Sequence, residues 1–99
     1  MAYVLIFFAG ALLCNAIPHL AAGLRGEPFP TPFARPSGVG KSSPLVNFLW
    51  GSCNLFLGLW LALRWMSQPG RAGWIALAVG FLVIGAFSAI HFGKVRGND

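Results

Sequence analysis

Asn15 and His19, Asn47, Trp50 and Asn54, and Ser88 and His91 are hydrogen-bonding side chains set inside otherwise apolar runs. Helical steps of three and four put Asn15, Pro18 and His19 on one face with Ala11 and Ala22. The same steps align Asn47, Gly51, Asn54 and Gly58, and also Ser88 with His91. Amides and imidazoles are costly against lipid, so these faces are expected to look inward. The small residues beside them permit close helix contact. Pro18 removes a backbone hydrogen bond to the Cys14 carbonyl and can kink its helix. His19 is the titratable side chain set deepest in an apolar run, and such groups mark functional sites by default. The candidate ligand-binding set is His19, Asn15 and Asn54 for polar contacts, Trp50 as an aromatic wall, and Arg35 for attracting an anion. The competing reading of the asparagines is interhelical packing glue, worth about 0.6 kcal/mol per hydrogen bond.

Other chemistries lack their parts. The only acids are Glu27 and Asp99, so no carboxylate pair exists for acid–base work or proton antiport. No acid is placed to orient a histidine beside a serine nucleophile. Cys14 and Cys53 sit in apolar runs and form no CxxC, which removes zinc and redox motifs. Gly38 to Ser43 looks like half a phosphate-binding loop, but Arg35 stands where that pattern needs glycine, and no βαβ unit surrounds it. His19 and His91 as axial haem ligands would need matched depths, which their positions do not give. No cofactor and no metal are expected.

These residues need elements to hold them, and the composition says which. Charged residues are 9% and apolar residues 57% of the 99. An ordinary soluble domain carries roughly 25% charged residues, so a soluble enzyme, a disordered tail and a secreted disulfide scaffold are all disfavoured. Three charge-free stretches, 2–24, 45–63 and 72–92, each approach or exceed the roughly 20 residues that cross a bilayer. Backbone groups in lipid must pair internally, and strand alternation is missing, so the expectation is an all-α membrane protein with three transmembrane helices. Met1, Ala2 and Tyr3 supply no basic start, so the first helix is expected to stay rather than be cleaved as a signal peptide.

The whole chain, 1–99, reads as a single integral membrane domain. A Pro- and Phe-containing loop at 25–44 joins helices 1 and 2. A tight turn at 64–71, built on Ser67-Gln68-Pro69-Gly70, pairs helices 2 and 3 as an antiparallel hairpin. A short polar tail occupies 93–99. The loop holds Pro28, Pro30, Pro32, Pro36 and Pro44, which favour extended, stiff backbone. It is long enough to fold over the mouth of the helices, and ordered long loops are more often functional than incidental.

Lys and Arg set the orientation. Arg25, Arg35, Lys41, Lys94 and Arg96 fall on one side, Arg64 and Arg71 on the other. The positive-inside rule puts the first side in the cytoplasm, with the N-terminus out and the C-terminus in, in a bacterial inner membrane. Membrane orientation also explains the net charge of +5 without nucleic acid. On that orientation His19 lies roughly 6 Å deep and Asn15 roughly 12 Å, while the outer half is almost wholly apolar. The function expected is binding of a lipid, a small amphiphile or a partner subunit at a cytoplasm-facing polar site. The alternative is a subunit of an oligomeric small-solute transporter or channel. A lipid-modifying enzyme is weakest, since no nucleophile–base–acid set is visible. Besides the bilayer, the partner expected is a second copy or a larger membrane complex, because three helices enclose little interior.

Overall fold

Three long helices account for most of the chain, as its uninterrupted apolar stretches require. In a computed structural model, which describes residues 1–66 and 70–97, α1 spans Ala2–Leu24, α2 Pro44–Trp65 and α3 Arg71–Gly97. All three are long and apolar enough to cross a membrane. α1 continues through Pro18 without a break. It ends in a hydrogen-bonded reversal at Gly26 (φ 71°), where the Gly26 amide bonds the Gly23 carbonyl and the Glu27 amide bonds the Ala22 carbonyl. That left-handed step suits glycine, and it satisfies carbonyls that a helix end leaves open. α2 begins with Ser43 as N-cap, its hydroxyl accepting from the Val46 amide at 3.2 Å, and with Pro44 in the first turn. Both residue types favour a helix start.

α3 runs five residues past the expected end at 92, so residues 93–97 are helix rather than a polar tail. Its 27 residues span about 40 Å, against a hydrocarbon core of about 30 Å. The last turns can therefore carry Lys94 and Arg96 beyond the core, where basic side chains also suit the negative end of the helix dipole. Residues 67–69 of the expected tight turn lie outside the described residues; Gly70 beside them has φ 58°.

α1 is the central helix. Gly23, Gly51 and Gly58 fit α2 against it in antiparallel register: Gly51 faces Ala16 and Leu20, and Gly58 faces Ala9 and Leu13. Gly10 packs against Leu77 and Phe81, Gly80 against Phe7 and Gly85 against Cys14, so α3 runs parallel to α1. A Cβ on Gly51 would come within 2.8 Å of the Leu20 nitrogen, and one on Gly80 would collide with the Phe7 carbonyl. The helix backbones thus approach as closely as small residues allow. α2 and α3 scarcely touch among the described residues, so the expected hairpin is antiparallel in direction but is not a packed pair. The physical reason is that both present their glycines to α1. The outer faces, with Phe56, Leu63, Trp74, Leu82 and Ile90, are exposed and apolar.

Residues 25–43 do not stay extended. Phe29–Pro30 (β1) pairs antiparallel with Lys41–Ser42 (β2), in the register Phe29↔Ser42 and Pro30↔Lys41. Bonds from the Gly38 amide to the Thr31 carbonyl, and from the Val39 and Gly40 amides to the Pro36 carbonyl, fold the stretch between them into a compact turn. At its base Arg25 and Glu27 form an exposed ion pair, Nε to Oε1 at 2.7 Å. The hydrogen bond and charge of Arg25 hold the Glu27 carboxyl below its usual range. The small stabilisation this gives is present above the ordinary carboxylate range and is lost as pH falls through the lowered value.

Candidate functional site

Asn47 organises the loop end of the bundle. Its side chain is completely buried, and its amide nitrogen donates to the carbonyls of Phe29 (3.0 Å), Ser42 (3.2 Å) and Ser43 (3.1 Å). A single side chain thereby ties α2 to both strands of the loop. Three carbonyls around one end of the amide fix that end as the NH2 donor, which leaves the oxygen as acceptor. That oxygen lies 2.7 Å from Nδ1 of His19, so Nδ1 carries the hydrogen and donates. In the neutral ring Nε2 then keeps its lone pair. The His19 ring is 2% exposed, stands edge-on to Phe29 at 5.4 Å between centroids, and has Trp50 at 6.5 Å. Nε2 has no hydrogen-bond partner among the described residues.

One helical turn deeper, Asn15 donates to Asn54 Oδ1 at 3.1 Å, and the Asn54 amide donates to the Trp50 carbonyl at 2.8 Å. This second layer consists of one ordinary interhelical bond and one bond back to the α2 backbone, with both amide nitrogens engaged. Trp50 differs. Its indole Nε1 is shielded from solvent and has no acceptor among the described residues. A buried N–H without a partner costs about 1–3 kcal/mol, so native structures seldom leave one without a reason.

Trp50, His19 and Asn15 share one cavity of about 300 Å³. It occupies the gap between α2 and α3 that their separate packing on α1 leaves open. Ile84, Phe87, Ser88 and His91 form its α3 side, and the loop covers it with Pro30 to Pro32, Ser37 and Gly38. The loop tip is tied down by His91, whose Nε2–H donates to the Gly38 carbonyl at 2.7 Å. His91 is itself stacked on Phe87, with centroids 5.6 Å apart and planes within 3°. At its base the cover is held by Asn47 and by the Thr31–Ser42 hydroxyl pair.

His19, Asn15 and Trp50 thus come together on the cavity wall, while Asn54 stands behind Asn15 and reaches the cavity only through it. Arg35 is exposed on the loop and lies outside the cavity wall. Asn47 and His91 lie outside the ligand-binding set that the sequence suggests, yet both shape the site. The available signals were the four-residue step from Asn47 to Gly51 and the Ser88–His91 pair. No signal of that kind marks Thr31, Ser37 or Gly38, which reach the cavity through the folding of the loop. Among the described residues no group of three His, Cys, Asp or Glu is placed to hold a metal ion. No known family description matches the chain, and comparisons with curated proteins and with solved structures gave no match.

Proposed function

We propose that the chain is a membrane-embedded binding protein whose cavity takes a small amphiphile with a hydroxyl-type headgroup. The observation that carries this reading is the unpartnered, buried Nε1–H of Trp50 on the same wall as the unpartnered lone pair of His19. One is a donor and the other an acceptor. A hydroxyl or a protonated carboxyl can accept from the first and donate to the second; an ammonium or a carboxylate can do only half. The remaining wall, with Ile84, Phe87 and Phe92, suits an apolar tail. The 300 Å³ holds about ten water-sized groups, enough for a headgroup and the first carbons of a chain. The reading has the protein in a bacterial inner membrane, with the loop and C-terminus at the cytoplasmic face, as a homo-oligomer or within a larger complex. The Lys and Arg distribution supports that orientation.

The test is extraction of the full chain into native lipid discs, followed by mass spectrometry of what accompanies it. A hydroxyl- or carboxyl-bearing amphiphile is expected. Its retention is expected to fall about tenfold in Trp50→Phe, which keeps the ring and removes the donor. Unchanged retention in both Trp50→Phe and His19→Phe would contradict the reading.

A further inference from the structure

A second cavity lies on the other side of Pro30 and Phe92, and its chemistry is different. It measures about 340 Å³, and three cations from three separate elements line it: Arg25 after α1, Lys41 in β2 and Arg96 in the last turn of α3. Among the described residues Glu27 is the one acid on its wall, and it is engaged by Arg25. The ion pair uses the Arg25 Nε and leaves the two terminal amino groups of the guanidinium. Behind the charged rim the wall is apolar, with Pro18, Ala21 and Val95 from α1 and α3. Both helices end here, and their terminal carbonyls oppose an anion. The Gly26 reversal already occupies the Ala22 and Gly23 carbonyls, and full charges on three side chains outweigh two partial ones.

We propose that this cavity binds the phosphate of an anionic membrane lipid, with Arg25, Lys41 and Arg96 around the headgroup and the first part of an acyl chain against the apolar wall. Cations converging from separate elements distinguish a site from basic residues scattered along a membrane surface. The apolar wall favours a lipid over free phosphate, which has nothing to place there. Basic pockets between membrane helices bind anionic headgroups by this combination. The site shares no ligand-binding side chain with the Trp50–His19 cavity, so each stands or falls alone.

The experiment uses the full chain in neutral detergent, with native mass spectrometry counting bound phosphatidylglycerol against phosphatidylcholine of the same acyl length. Wild type is expected to retain phosphatidylglycerol preferentially. Arg25→Gln and Arg96→Gln are each expected to weaken that retention about fivefold, while Arg71→Gln, at the far end of α3, and Arg35→Gln, off the cavity, leave it unchanged. Equal retention of the two lipids would overturn the site. Equal weakening by Arg71→Gln or Arg35→Gln would reduce it to general charge attraction and overturn it too. Displacement of phosphatidylglycerol by millimolar inorganic phosphate would overturn the lipid assignment in favour of a free phosphate site.

Discussion

The asparagines do different work although the sequence presents them alike. Asn47 satisfies the His19 Nδ1–H and three backbone carbonyls, whereas, among the described residues, Asn15 donates only to Asn54, and Asn54 only to the Trp50 carbonyl of its own helix. Asn47→Ala therefore strands several buried groups, each of which costs about 1–3 kcal/mol when left unmade. Asn54→Ala forfeits an interhelical bond worth about 0.6 kcal/mol. Unfolding free energies measured by steric trapping in bilayer discs are expected to rank Asn47→Ala well below Asn54→Ala. Equal losses would show that Asn47 is packing glue like its neighbour. The helical face shared by Asn47, Gly51, Asn54 and Gly58 is readable from spacing alone, and these four are the buried residues of α2. What spacing does not carry is that Asn47 meets main-chain carbonyls from 29, 42 and 43, since backbone acceptors leave no trace in residue identity.

At the scale of elements, the spans were readable because lipid demands long charge-free helices, and the three helices lie on the three apolar runs. The order of packing was not readable. A short connection suggests that neighbours in sequence pack together, but close approach follows the small residues, and those of α2 and α3 both meet α1. The loop escaped for a related reason. Its prolines suggest extension, while long-range bonds from Asn47 and His91 fold it down. The close contact of α1 and α3 rests on Gly10 and Gly80. Gly80→Ala drives a Cβ into the Phe7 carbonyl, an overpacking expected to cost about 1–3 kcal/mol. Gly93→Ala, with nothing within 4 Å, is expected to be neutral or to stabilise by up to about 1 kcal/mol through helix propensity. Thermal unfolding of the two variants in one detergent checks this pair. Similar midpoints would contradict a glycine-mediated contact.

For the whole molecule, the two cavities follow from one architectural fact. α2 and α3 pack on different faces of α1 and leave gaps at the loop end, and Pro30 of the folded loop lines both cavities there. On one side lie a donor and an acceptor with no partners among the described residues; on the other, three cations and an apolar wall. The outer faces of the helices expose many large aliphatic and aromatic side chains, as lipid requires. The most direct test of the binding account is the indole N–H resonance of Trp50 in discs, followed on addition of 1-decanol and, separately, of decane. The account expects decanol to shift that signal and decane to leave it in place, with the decanol response lost in His19→Phe. An indole signal indifferent to decanol, or moved equally by decane, would contradict it.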